Sequence, residues 1–228
     1  MTRLLPRLLP RLLPLLLVAV QAGALAEERD WLTYRKLIEA SRLDKFHALP
    51  AAERDKLDMY IHLEPADKNL NLRDVALTVV HGGSRTPLPI DADGNLRIMP
   101  NAQWLAEDAK ILTNQPKQSK VSMGPALNAI VPAGTQWSYG ALMGSIPQSN
   151  AAIGKMAGAL SMFAPTIRSV ILKFDGPAQL TIQSKAGAKQ YATDAKQQIR
   201  LKPDAALVKE NPPMVLSARP REAELDSE

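Results

Sequence analysis

The sequence predicts an α+β fold: an N-terminal helical arm, antiparallel β-rich, sandwich-like lobes, and one helix packed on the second sheet. Two observations predict it. Apolar residues recur at spacings of three and four over Trp31, Tyr34, Leu37 and Ile38, the period of a helix face. Beyond Leu57 the period drops to two and short apolar runs alternate with glycine- and proline-marked turns, the signature of strands.

The N-terminus comes first in order. A tetrad repeats three times as Arg3-Leu4-Leu5-Pro6, Arg7-Leu8-Leu9-Pro10 and Arg11-Leu12-Leu13-Pro14; an apolar run to Val20 follows, then Ala24-Leu25-Ala26. A basic start, a short apolar middle and an Ala-x-Ala end make a secretory signal peptide. The run is about half of the roughly 20 residues a membrane-spanning helix needs. Residues 1–26 are therefore expected to be cleaved after Ala26, placing the chain in the periplasm. Of 28 basic residues, 3 fall in this segment, leaving 25 against 23 acidic and lowering the net charge from +5 to +2. So small an excess gives no electrostatic footprint for nucleic acid. The chain has no cysteine, which excludes disulfides, thiolate nucleophiles and cysteine-ligated zinc.

Residues 27–56 form the expected helical arm, with Pro50 opening a second short helix before Leu57. Residues 57–112 form a first β-rich lobe. Leu57, Met59, Ile61 and Leu63 alternate with Asp58, Tyr60, His62 and Glu64, one buried face and one wet. Asp74 to Val80 is the next strand, and Gly82-Gly83 a turn. The span from Leu57 to Met99 thus reads as a meander of consecutive strands, followed by a helical turn carrying Trp104 and Leu105 inward. Residues 113–120, rich in polar residues around Pro116, read as a linker.

Residues 121–218 form the second lobe. Val121 to Pro132 is a strand. Asn150 caps a helix over 150–164 whose Ile153, Met156, Leu160 and Phe163 make one apolar stripe. Strands follow over Ser169–Phe174, Ala178–Ser184, Lys189–Thr193 and Gln197–Leu201, and Pro212-Pro213 opens a last one through Leu216. Residues 219–228, being terminal and charged, are expected to be a disordered tail.

Few residues point to chemistry. Asp91, Asp93 and Asn95 have the spacing that opens a calcium loop, but position 6 from Asp91 is Leu96 and position 12 is Ala102. A calcium loop needs glycine and glutamate there. Asp93-Gly94 between Leu88, Ile90, Leu96 and Ile98 suits a hairpin turn instead, so no metal is assigned to these three residues. His62 and Glu64 share a strand face with Asp58, and His81 lies near Ser84. These are the catalytic candidates of a hydrolase reading, the alternative here. Side chains two apart on a strand sit about 7 Å apart, too far for a nucleophile-to-base hydrogen bond. A solvated face explains the row as well. His47 has no histidine partner at ligand spacing. Gly-x-Ser-x-Gly elbows, phosphate-binding glycine loops and dinucleotide fingerprints are absent, and no cofactor is expected.

Gly154 and Gly158 form a Gly-x-x-x-Gly pair within a stretch, 139–163, charged only at Lys155. Attachment to the envelope membrane through 139–163 is a further alternative. Pro147, Gln148, Ser149 and Asn150 interrupt it, and a helix lying close on a sheet is favoured. Trp31, Trp104 and Trp137 are scattered and read as core.

The Val75–Val80 strand, the Leu88-Pro89-Ile90-Asp91 hairpin and the acidic stretch Leu105-Ala106-Glu107-Asp108-Ala109 together resemble segments of exported Gram-negative envelope proteins of unknown function. The resemblance covers about a fifth of the chain. It implies a β-rich envelope protein and carries over no catalytic residue. The expected activity is non-enzymatic: binding of an envelope protein or peptide partner through exposed strand edges or the polar face of Leu57–Leu63.

Overall fold

The computed structural model describes residues 28–67 and 69–228. The signal peptide expected over residues 1–26 lies outside them. The fold is α+β, with 28% helix and 36% strand, and its strands form three antiparallel sheets.

The first sheet runs β1 (Arg29–Thr33), β6 (Lys110–Thr113), β3 (Leu77–His81), β4 (Ser84–Leu88). Gly82 and Gly83 close the β3–β4 hairpin at φ 52° and 79°, the left-handed conformation a two-residue hairpin turn demands. The helical arm is corrected at its start: β1 pairs with β6 from Arg29↔Thr113 to Thr33↔Lys110. Trp31, taken as the first residue of a helical stripe, lies in this strand and packs against the core. The helix proper, α1 (Tyr34–Ser41), begins where the Thr33 hydroxyl accepts a hydrogen bond from the Lys36 N–H. Such caps are worth about 1 kcal/mol. Its Tyr34, Leu37 and Ile38 are fully buried. Arg42, in the left-handed region at φ 59°, turns the chain into α2 (Leu43–Ala48).

The second sheet runs β11 (Gly187–Ala192), β10 (Gln179–Ser184), β13 (Pro213–Leu216), β8 (Gln136–Ser138). The largest sheet runs β12 (Gln198–Leu201), β9 (Ser169–Lys173), β14 (Glu222–Asp226), β7 (Val121–Ala129), β2 (Leu57–Pro65), β5 (Asn95–Leu96). Two expectations fall here. The meander over Leu57–Met99 is split: β2 pairs along its whole length with β7, from Leu57↔Ala129 to Pro65↔Val121, and makes no ladder with β3. Strands before and after residues 113–120 therefore pair across that connection. The tail is no tail: β14 lies between β9 and β7. Glu222-Ala223-Glu224-Leu225-Asp226 alternates in period two, so Ala223 and Leu225 enter the core. The intervening acids meet cations, Lys173 for Glu222 and Glu224, and Arg200 for Asp226.

Trp104 lies in α3 (Ala102–Ala106), which the Asn101 side chain caps; its ring meets Tyr34 edge-on at 5.2 Å. The Tyr34 hydroxyl donates to the Met99 carbonyl and accepts from the Asn101 N–H, both at 3.1 Å. After α4 (Tyr139–Met143) comes α5 (Ser145–Ala157), which starts five residues before the expected cap. Asn150 sits inside it and ties the chain after the helix instead, accepting from the Ile167 N–H and donating to the Ile167 carbonyl. The apolar stripe is corrected in part: Ile153 and Met156 pack against the core, but Leu160 and Phe163 do not. The face that α5 buries is Ser145, Ile146, Ser149 and Ala152, three of them small residues that allow a close approach. A 3-10 turn over Gly158–Phe163 breaks the periodicity, leaving Leu160 62%, Met162 80% and Phe163 80% exposed. Gly154 and Gly158 face open space within 4 Å, so they mediate no packing here. A helix missing from the sequence reading, α6 (Ala205–Glu210), is capped by Asp204. No described helix is long and apolar enough to cross a membrane.

Candidate functional site: a cleft between two strands of the largest sheet

The outward face of the largest sheet gathers most of the residues singled out above. β2 turns Asp58, Tyr60, His62 and Glu64 to it, as period two requires. β7 adds Gly124, Ala126 and Asn128, in register with His62, Tyr60 and Asp58. β14 adds Glu222 and Glu224, and β9 adds Lys173, the register partner of Glu222. Two adjoining depressions of 570 and 470 Å³ cover this face and share Tyr60, His62, Lys173 and Glu222.

The groups are already paired with one another. Asn128, 7% exposed, donates from Nδ2 to the Tyr60 hydroxyl at 2.9 Å and to Glu222 Oε1 at 2.7 Å. Lys173 Nζ reaches Glu222 at 3.1 Å and Glu224 at 2.5 Å. Arg97 bonds Asp58 at 3.0 Å and Asp91 at 2.8 Å while its guanidinium stacks over Tyr60 at 4.3 Å. Tyr60 was expected on a wet face, but that stack and the Asn128 bond cover it to 5% exposure.

These surroundings fix protonation states. Burial, then the Glu222 charge, pushes the Tyr60 phenol above its ordinary value. Burial disfavours the Lys173 charge, but the hydrogen bonds it donates to Glu224 and Glu222 outweigh it and hold the ammonium above its usual range. Burial likewise pushes Asp91 up, yet hydrogen bonds from the Asn95 and Asp93 backbone and the Asn95 amide, with the Arg97 charge, hold it below the carboxylate range. Each group is driven further into the form it already has at neutral pH. A general acid or base needs the opposite, a value drawn toward the working pH.

His62 is exposed and bonds through Nδ1 to Asn95 Oδ1 at 2.9 Å, not to a carboxylate. Glu64 is exposed in the same depression, with no hydrogen bond to His62 among the described residues. His81 does meet a carboxylate: its Nε2 lies 2.5 Å from Glu107, a residue the sequence reading did not single out. Ser84 is its register partner across the hairpin, with no hydrogen bond between their side chains, and neither residue lines the two depressions. Asp91, Asp93 and Asn95 form the turn: Asp91 Oδ1 accepts from the Asp93 and Asn95 N–H groups, and Gly94 stands at φ 81°.

The main chain supplies the most consequential feature. The β7–β14 ladder consists of two pairs, Ala223↔Ala129 and Glu224↔Asn128; beyond them the two strands part. On the other side, Ile130 N–H bonds Lys56 O, and Ala66 N–H bonds Lys120 O. Even-numbered residues of β7 therefore turn their main-chain groups to β2, and odd-numbered ones away from it. Val121, Met123 and Pro125, with the N–H of Leu127, thus present a strand edge unpaired among the described residues; the Leu127 carbonyl is taken by the Leu225 N–H, as the pair Glu224↔Asn128 requires. Pro125 fits that position, since proline is tolerated where the N–H faces away from a partner strand. The 570 Å³ depression, lined by Met123, Pro125, Leu127 and Leu225, opens along this edge on the polar side. A 340 Å³ apolar depression lies on the helix side, lined by Met59, Leu127, Ile153, Met156 and Leu160 with Arg42. None of this was legible in sequence, because an edge exists only once strand order is known. Comparisons of the chain with family models, curated proteins and solved structures returned no match.

Proposed function

We propose that the chain is an exported, non-enzymatic protein that binds an envelope partner by strand addition, the partner's extended segment pairing with the edge of β7. The observation that supports this is the open edge from Val121 to the Leu127 N–H, set in a cleft with one polar and one apolar wall. Main-chain hydrogen bonds give such additions affinity and side-chain pockets give them specificity. The same edge is a hazard for uncontrolled pairing, and Pro125 limits it by removing one donor. The charge pairs around Lys173 and Arg97 tie the side chains of the polar wall to one another.

The Met123→Pro variant tests the proposal. It removes an N–H that points into the cleft while sparing every β2–β7 bond, and Met123→Ala controls for the lost side chain. Peptides selected by the full chain from a displayed dodecapeptide library should bind the proline variant about three- to tenfold more weakly, the worth of one net hydrogen bond. Binding should also slow hydrogen exchange at Met123 and Leu127. Selected peptides that bind Met123→Pro and Met123→Ala alike, with exchange at those amides unchanged, would remove the basis of the reading.

A further inference from the structure

The two walls of the cleft differ in chemistry, and an extended chain presents its residues alternately to either side. We infer that the segment received is one in which lysine or arginine alternates with apolar residues, a statement that rests on strand addition at β7.

On the polar side, among the described residues, Glu64, Glu222 and Glu224 stand against Lys173 as the only lysine or arginine lining the depression, an excess of two negative charges. The Glu64 carboxylate has no hydrogen-bond or ion-pair partner among the described residues. The floor between these acids is Gly124 and Ala126, and a Cβ added at Gly124 would meet nothing within 4 Å. A long side chain on the incoming strand therefore has room to lie across β7 and bring a cation to the carboxylates. Directly paired residues share a face, so ligand residues opposite Gly124 and Ala126 are the basic ones.

On the other side, ligand residues opposite Pro125 and Leu127 face Met59, Ile153, Met156 and Leu160. Leu160 is 62% exposed at the rim. Arg42 is the one charge there among the described residues, and it disfavours a second cation on the apolar wall. The asymmetry thus fixes which alternate positions are charged and with which sign.

The probes are two acetylated octapeptides, one alternating valine with lysine and the other valine with glutamate, titrated by fluorescence anisotropy against the full chain. The lysine peptide is expected to bind about tenfold more tightly, each exposed ion pair being worth about two- to fivefold. Glu64→Gln, which breaks no contact seen in the fold, should narrow the gap by about two- to fivefold, and Glu222→Gln with Glu224→Gln should narrow it further. Raised salt should close it. Equal binding of both peptides, each weakened by Met123→Pro, would overturn the charge preference while leaving strand addition standing. Failure of both peptides to bind, or binding indifferent to Met123→Pro, would overturn both. A chain that instead self-associates through this edge, its dimer lost in Met123→Pro and unaffected by either peptide, would assign the cleft to a second copy.

Discussion

Leu225→Ala measures how much of the molecule depends on its last strand, which is also one wall of the cleft. Leu225 is 8% exposed and enters the common core beside Val170 and Ala223. Removing a buried leucine beyond Cβ costs about 2–4 kcal/mol, transfer and cavity together. With a urea dependence of about 2 kcal/mol per molar, the unfolding midpoint should fall by about 1–2 M, followed by tryptophan fluorescence and circular dichroism. Ending the chain after Pro220 is more severe. It removes five register pairs with β9 and two with β7, besides the burial of Ala223 and Leu225. At about 0.5–1.5 kcal/mol per ladder hydrogen bond, that loss rivals the whole stability of a domain, about 5–15 kcal/mol, and no cooperative transition should remain. If residues 219–228 were a loose charged tail, both changes would leave the midpoint within about 0.2 M of the parent, and that result would refute the placement of β14.

Four other outcomes are expected. Gly94→Ala should destabilise by about 1–3 kcal/mol in thermal melts, since its φ is 81° and a Cβ would stand 2.6 Å from the Leu63 carbonyl oxygen; Gly154→Ala, with open space around it, should stabilise by about 0.5–1 kcal/mol. Phe163→Ala should change stability by less than about 0.5 kcal/mol, against about 3–5 kcal/mol had the ring lain in a core, as urea titration will tell. Burial first, then the Arg54 charge, lowers His47 below its ordinary 6.5, and its Nδ1 is buried without a hydrogen-bond partner among the described residues. The unfolded chain then binds the proton more readily, so stability is complete above the unfolded value and falls as pH drops below 6.5 toward the folded value. His47→Leu should flatten that slope in unfolding midpoints taken between about pH 7 and pH 5.

Features set by neighbours in the chain were legible in the residues themselves. The alternation of Leu57–Leu63, the Gly82-Gly83 and Asp93-Gly94 reversals and the Tyr34–Ile38 helix stripe all follow from local periods and from glycine's access to positive φ. The second lobe's strands also stand close to their expected bounds, Ser169–Lys173 and Gln198–Leu201 among them. Errors arose where a local rule met a distant partner. Trp31 has helical spacing to Tyr34, yet β6 recruits it into a strand. Leu160 and Phe163 continue an apolar stripe, but the 3-10 turn after Ala157 swings them outward.

The amino-acid sequence by itself determined that one face of β2 is buried, that the chain carries no thiol chemistry, and where its turns fall. Glu222–Asp226 even carried the period-two signal of a strand, masked by its charge and its position at the end. Tertiary structure alone decided that β2 pairs with β7 rather than β3, that β14 enters between β9 and β7, and that β7 keeps an open edge. The physical reason is that an apolar pattern specifies burial without naming what covers it. Strand order and edge exposure are properties of pairs of segments far apart in the chain, and no single stretch encodes them.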